Sequence, residues 1–334
     1  MKPLTFPQHS VRFGLLTVLA VPTLIIPIVS GCVTRPSSTK SVAVTQIVEH
    51  PSLNAVRDGL KEELTAAGFD AAKNLKWQWE SAQGSPVTAT QIAQKFAGEN
   101  PSVIVAISTP SALSAAQATK QTPVVFTAVT DPLNAKLVTS LEKPSGLITG
   151  VRDFAPADQH LDLIAKILPK AKRIGVVYNV SESNSISIIN FLKQSAPKRN
   201  MTIVEATVTN SNEVSGATKS LVGRADAVYV PTDNTIVSAL NSVVQVGIDH
   251  KLPVFSGDNE SVEKGTIASL GFNYRDIGKQ TGKIVARILN GEQPGMISVE
   301  SPSKVELIIN AKAAQQMGVK IPEPLLKEAV KVVK

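Results

Sequence analysis

Short apolar runs and helical repeats alternate along most of the chain. Val42–Val48, Val103–Ile107, Val124–Val129, Ile174–Tyr178, Ala227–Val230, Pro253–Phe255 and Thr266–Leu270 are rich in Val and Ile and carry no charge. Such runs suit parallel strands buried on both faces. Between them, apolar residues recur near every 3.6 positions, as in Leu53, Val56, Leu60 and Leu64. Ile188, Ile189 and Leu192 do the same, as do Ile236, Leu240, Val243 and Val244. Alternating strand and helix predicts an α/β chain with doubly wound parallel sheets.

The series runs twice. One occupies residues 41–150, and a second starts near Ala171 with Arg173-Ile-Gly-Val-Val-Tyr178. Residues 150–156 change character and read as a crossover. After Leu270 a helix is expected over 277–289 and a strand over 305–309. The expectation is two lobes around a hinged cleft. Residues 41–152 with 272–303 form the first, and 153–271 with 304–334 the second. Two independent α/β domains in series are the competing arrangement, and the short 150–156 segment argues against a long free linker.

The first forty residues break the pattern. Lys2 and Arg12 precede the uncharged, mostly apolar run Phe13–Val29, which ends in Val29-Ser30-Gly31-Cys32. Basic, apolar, then small is the layout of an export signal. The last four residues resemble a bacterial lipobox, with Cys32 as the lipid-modified residue. A spanning helix is the competing explanation. The run lies at the short end of the roughly 17–25 residues that cross a bilayer, and Pro22 and Pro27 fall inside it, each removing a helix hydrogen bond. Cys32 is the only cysteine, so no disulfide forms within the chain. Residues 1–31 are thus expected to be a removed signal peptide and 32–40 a flexible tether. Acyl chains at Cys32 would hold the protein to the membrane on the extracytoplasmic side.

Charge and missing motifs narrow the function. Removing Lys2 and Arg12 with the signal leaves 32 basic against 27 acidic residues, net +5. That mild excess, with 4% aromatic residues, gives no nucleic-acid footprint. No G-x-x-x-x-G-K-[ST], G-x-G-x-x-G after the first strand, or G-x-S-x-G occurs, against a P-loop, a dinucleotide site or a hydrolase elbow. His50, His160 and His250 are far apart in sequence, so no metal set and no cofactor is expected. His160 and His250 are read onto helix surfaces. His50 suits a cleft contact or a surface turn equally. No catalytic residue is assigned, and the chain is expected not to be an enzyme.

In open α/β sheets, ligands sit beyond the carboxyl ends of strands. Six strand ends here carry short polar residues. The first strand leads to Gln46, His50 and Pro51, the next to Ser108-Thr109-Pro110, and another to Thr127 and Ala128 within Thr127–Asp131. In the second series the ends hold Ser181 and Asn184, then Asp233 and Asn234, then Asp258. Helix capping explains any one cluster, since Ser, Thr, Asp and Asn are preferred N-caps. The same helix ends offer N–H groups to a carboxylate, and Ser108–Thr109 is the best candidate. Asp258 or Asp233 would accept an ammonium, so an amino acid would bridge the lobes. Tyr178, Phe272 and Tyr274 are candidates to pack its side chain, and Phe126 and Phe255 are assigned to the core.

Taken together, several segments carry a family likeness. They are Val44–Leu53 (VTQIVEHPSL), Ser108–Ala112 (STPSA), Phe126–Pro132 (FTAVTDP), Gly175–Asn179 with Ser181–Ser185, Pro231–Thr235 (PTDNT), Ser256–Asp258 and Gly271–Gly278 (GFNYRDIG) with Gln280–Gly282. In order and spacing the chain resembles the ABC-transporter substrate-binding family typified by tryptophan- and tyrosine-binding lipoproteins. The resemblance implies a type I periplasmic-binding fold with three interlobe crossings. It also implies a monomer that delivers an amino acid, aromatic in the typical members, to a permease and ATPase. A hydrolase-like enzyme and a sensory or adhesive surface lipoprotein are the alternatives on the same scaffold.

Overall fold

A computed structural model describes residues 39–144, 146–155 and 157–334, with Gly14 alone ahead of them. The expected export signal, Cys32 and nearly all of the tether lie outside the described residues. Lys40, expected in the tether, opens the first strand.

The first lobe begins with β1 (Lys40–Gln46), α1 (Pro51–Ala66), β2 (Leu75–Ser81), α2 (Pro86–Glu99), β3 (Val103–Ile107), α3 (Thr109–Ala118), β4 (Val124–Val129) and β5 (Ile148–Arg152). Its strands are all parallel, in the order β2-β1-β3-β4-β5. The second lobe follows with α4 (Ala157–Ile167), β6 (Arg173–Asn179), α5 (Ser183–Ser195), β7 (Thr202–Val208), α6 (Val214–Lys219), β8 (Ala227–Val230), α7 (Asn234–Ser238), α8 (Leu240–His250), β9 (Val254–Ser256) and α9 (Glu260–Glu263). Its sheet is parallel too, in the order β7-β6-β8-β9. The chain ends with β10 (Ala268–Gly271), α10 (Tyr274–Leu289), β11 (Glu306–Asn310), α11 (Ala311–Gln316), α12 (Glu323–Glu328) and β12 (Lys331–Val333).

Two separate hydrophobic cores define the lobes. One joins Val42–Val151 positions to Phe272, Tyr274, Ile277, Ile284 and Ile297. The other joins Ala157–Ala268 positions to Leu307, Ile309, Met317 and Leu325. The chain therefore passes between lobes after β5, between β10 and α10, and ahead of β11. The α/β class and two parallel-sheet lobes match the sequence pattern.

The apolar runs mark β1, β3, β4, β6 and β8 inside the sheets, and β9 and β10 at sheet ends. Four strands are not visible that way. β2 (LKWQWES) and β7 (TIVEATV) lie at sheet edges and keep residues half-exposed, so they mix charge with apolar residues. β12 is a short edge strand of a third sheet, β10-β11-β12. β10 belongs to that sheet as well and runs antiparallel to β11, not in a buried parallel sheet as its sequence suggests. β5 (ITGVR) is broken by Gly150. A Cβ on Gly150 would overlap the Phe126 carbonyl oxygen, so the residue that lets β5 lie against β4 also erases its hydrophobic signature.

Helix α10 completes the first lobe by packing on α1. Gly59 and Gly278 make that approach possible: a Cβ on Gly59 would overlap the Arg275 carbonyl oxygen, and one on Gly278 the Val56 carbonyl oxygen. His160 departs from its expected surface position. It is 2% exposed, with Nε2 2.9 Å from the Leu270 carbonyl oxygen and Nδ1 3.0 Å from the Tyr229 hydroxyl. A carbonyl only accepts, so Nε2 carries the proton and Tyr229 donates to Nδ1. Burial holds its pKa down at about 4. His250, at the end of α8, is exposed as expected.

Candidate functional site

Both sheets have a point where strand order reverses, between β1 and β3 and between β6 and β8. Ligands of open α/β sheets collect at such switch points. The carboxyl ends of these strands face each other around a narrow inner cavity that is partly open to solvent. The first lobe and hinge contribute His50, Ser52, Leu53, Ser108, Ala128, Thr130, Asp153 and Tyr274. The second lobe contributes Asn184, Thr232, Asn234, Val237 and Asp258. A wider outer cavity shares His50, Ser52, Val237 and Asp258 and adds Glu49, Pro51, Glu260 and Lys264 among others.

Hydrogen bonds tie the walls together across the cleft. Ser52 Oγ donates to Asp258 Oδ1 at 3.0 Å, and Ser108 Oγ donates to Asn234 Oδ1 at 3.0 Å. Farther out, Asn134 Nδ2 donates to Ser187 Oγ at 2.7 Å. The Asn234 amide is oriented by Glu182, whose carboxylate accepts from Asn234 N and Nδ2, from Thr235 N and Oγ1, and from Asn184 Nδ2. Because that carboxylate accepts all five bonds, Asn234 turns its NH2 toward it and its oxygen toward Ser108.

The backbone on the first-lobe wall is held in unusual conformations. Ser108 has φ 80° and ψ 156°, a region otherwise kept for glycine and costing about 1–3 kcal/mol. Ala128 has φ 51°. Ser108 heads α3 but its side chain does not cap the helix; the hydroxyl is spent on Asn234 instead. His50 heads α1, likewise without a side-chain cap.

The expected site residues divide into two groups. His50, Ser108, Ala128, Asn184, Asn234, Asp258 and Tyr274 all line the inner cavity, and Pro51 lines the outer one. Gln46, Thr109, Thr127, Ser181 and Asp233 line neither. Gln46 is occupied inside the first lobe by Val48, Asn54 and Trp79. Thr127 accepts a hydrogen bond from Thr281 on α10. Ser181 is held in a turn by Asn179 Oδ1. Asp233 is a helix cap: it accepts from Ile236 N, Asn179 N and Ser185 Oγ at 2.9, 2.7 and 2.6 Å. Thr109 is buried at the start of α3 behind Ser108. Tyr178 points away, donating to Glu205, while Phe126 and Phe255 are core residues as expected.

Six lining residues have no counterpart among the expected contacts: Ser52, Leu53, Thr130, Asp153, Thr232 and Val237. Thr130 lies within the strand-end cluster Thr127–Asp131, and Ser52 and Thr232 within the family-like segments Val44–Leu53 and Pro231–Thr235. Asp153 directly follows β5, so the same rule finds it once β5 is recognised.

Electrostatically the inner cavity is acceptor-rich. Asp153 and Asp258 line it, and no Lys or Arg does so among the described residues. Burial, offset by bonds from Tyr274 and Thr130, raises the Asp153 pKa to about 6. Burial lowers the pKa of His50 despite the nearby Asp258 and Glu182, so its ring is neutral at pH 7. Burial and then Glu182 push Asp233 upward; burial and then Asp258 push Glu260 upward. Several buried side-chain atoms of the described residues have no hydrogen-bond partner; of these, His50 Nδ1, Asn184 Oδ1 and Thr232 Oγ1 belong to residues of the inner cavity, whereas others such as Thr109 Oγ1 and Ser269 Oγ do not. Such groups are costly unless something bonds them. No cluster of three or more His, Cys, Asp or Glu suited to a metal occurs among the described residues, and none of their helices is long and apolar enough to cross a membrane.

Two parallel-sheet lobes closing on a polar cavity at their switch points define a solute-binding architecture. The sequence model of the ABC transporter substrate binding protein family matches residues 41–333, and the chain belongs to that family. It is 40% identical to a tyrosine-binding protein of Clostridioides difficile over 83% of this chain and 80% of that one. A conserved domain protein from Vibrio cholerae superposes with a TM-score of 0.87 at 47% identity, covering 88% of this chain and 99% of that one. An ABC domain from Streptococcus pneumoniae in complex with L-Trp gives 0.86 at 34% identity, covering 89% and 100%. The ligand-free, open form of an adhesive substrate-binding protein from Clostridium difficile gives only 0.67 at 39% identity, covering 88% and 99%. The lobes are thus set more nearly as in the L-Trp complex than as in the open protein.

Proposed function

We propose that this protein captures an amino acid, tryptophan or tyrosine, in the interlobe cavity and delivers it to an ABC importer. The observation that carries the reading is the cavity itself, bridged by Ser52–Asp258 and Ser108–Asn234 and lined by residues with unpartnered buried polar groups. The amino-acid part draws on the tyrosine-binding relative and the L-Trp complex. On this reading the ligand's carboxylate meets the uncapped ends of α1 and α3, where free N–H groups favour an anion. The ligand is bound and released unchanged. Closure is favoured because the ligand touches both lobes only in the closed state.

The permease and ATPase are separate partners. Cys32, with its lipobox-like approach, anchors the protein on the extracytoplasmic face of a membrane. Calorimetry of the protein lacking residues 1–32 against tryptophan, tyrosine and phenylalanine tests the ligand assignment. Micromolar or tighter binding of tryptophan or tyrosine is expected. Binding of a sugar or another solute with no response to these amino acids rejects it. Labelled palmitate should enter the full chain and be lost in Cys32→Ala.

A further inference from the structure

We propose that Asp153, at the hinge end of the cavity, is the counter-ion for the ligand's ammonium group. The inference rests on the amino-acid reading above and adds the residue that would recognise the amine.

Three buried aspartates surround the cleft, and their existing bonds separate them. Asp233 takes three close donors and lies outside the cavity. Asp258 lines the cavity but is engaged by Ser52 Oγ at 3.0 Å, Ser261 N at 2.9 Å and Ser261 Oγ at 2.6 Å. Asp153 has one close donor, the Tyr274 hydroxyl at 2.8 Å on Oδ2, and a long contact from Thr130 Oγ1 at 3.4 Å on Oδ1. Both are neutral hydroxyls. A carboxylate offers about four lone-pair positions, so Asp153 keeps the most acceptor capacity of the three. It is 2% exposed, and a buried carboxylate needs a charged partner or a proton. In the same cavity the buried, unpartnered Asn184 Oδ1 offers a further acceptor to an –NH3 group.

Among the described residues, the groups facing Asp153 supply no cation. From α10 comes Tyr274, held protonated by burial and by Asp153. From the second lobe comes Asp258, whose charge opposes ionisation of Asp153. His50, ahead of α1, is neutral, and Glu260, on α9, borders only the outer cavity. Glu182 is spent on the amides of α7. An ammonium would therefore complete Asp153, and binding would hold its carboxyl ionised. With a free-state pKa of about 6, affinity for an amino acid should fall roughly tenfold between pH 7 and pH 5.

The test pairs each amino acid with its amine-free analogue: tryptophan with indole-propionate, and tyrosine with desaminotyrosine. Calorimetry is run at pH 5, 6, 7 and 8 on the wild-type protein, Asp153→Asn, Asp258→Asn and Tyr274→Phe. The wild-type protein should prefer the amine on the order of a hundredfold. Asp153→Asn should compress that preference below about tenfold and flatten the pH dependence. Tyr274→Phe keeps the carboxylate but removes its hydrogen-bond donor, so the pH at which affinity falls should move up. An intact amine preference in Asp153→Asn, with loss in Asp258→Asn, overturns the assignment and gives the role to Asp258. Wild-type binding of neither amino acid overturns the ligand reading itself, and this inference with it. If Asp153→Asn fails to fold, the Tyr274→Phe shift decides alone, and an unmoved pH profile rejects the proposal.

Discussion

On the first-lobe wall of the cleft, α1 and α3 begin at His50 and Ser108, and neither side chain caps its helix. On the second-lobe wall, acids take up the helix ends. Asp233 accepts Ile236 N, Glu182 accepts Asn234 N and Thr235 N, and Asp258 accepts Ser261 N. One wall leaves its helix ends without side-chain caps and stores strain at Ser108. The other neutralises its own N–H groups with internal carboxylates. Polar residues of similar type at equivalent strand ends thus serve opposite purposes. In the second lobe they cap helices; in the first they line the cavity without capping.

The comparison can be broken in four ways. The largest effect should come from Asp233→Ala, which removes a cap and leaves two buried N–H groups unpaired. A loss of about 4 kcal/mol is expected in urea unfolding, whereas Ser108→Ala should cost about 1 kcal/mol or less. Equal losses would erase the distinction between the walls.

Next comes pH. The Asp153 carboxyl ionises near 3.8 when unfolded and near about 6 when folded, so the folded state binds the extra proton between those values. Its contribution is most favourable below that window, and stability falls by up to about 3 kcal/mol as pH rises through it. Thermal melts of ligand-free protein from pH 4 to 7.5 should show a downward slope that Asp153→Asn reduces.

Ser108→Gly should raise stability by about 1 kcal/mol, since glycine tolerates this backbone and the lost Asn234 bond offsets only part of the gain. A lower melting temperature would mean that Ser108 is not strained. Ser52→Ala is the smallest change: it removes one of two bonds across the cavity and should cost below about 1 kcal/mol. Small-angle scattering of the ligand-free protein should then show a slightly larger radius of gyration.

Much of the fold was legible in the sequence because central parallel strands are buried on both faces and must be apolar. The edge strands β2 and β7 carry Lys76, Glu80 and Glu205 among their apolar residues and so leave no comparable run. Of the strand-end residues marked in the sequence, His50, Ser108, Asn234 and Asp258 do line the cavity. It was misread where capping and binding use the same residue types. Asp233 and Asp258 look alike in sequence, and only the hydrogen bonds show that one stays behind the wall. Asp153 was hidden by Gly150, which interrupts the run that would have marked β5.

The junction of Gly59 and Gly278 has a consequence for biosynthesis. The first lobe's strands are made early, yet α10 arrives only after the whole parallel sheet of the second lobe has been made. Until then the buried face of α1, with Val56, Leu60 and Leu64, lacks its cover. A chain emerging N-terminus first can assemble β6–β9 while its earlier half waits, sticky and unfinished. Cutting the chain before residue 274 should therefore yield an aggregating chain, because its first lobe is left uncovered at α1.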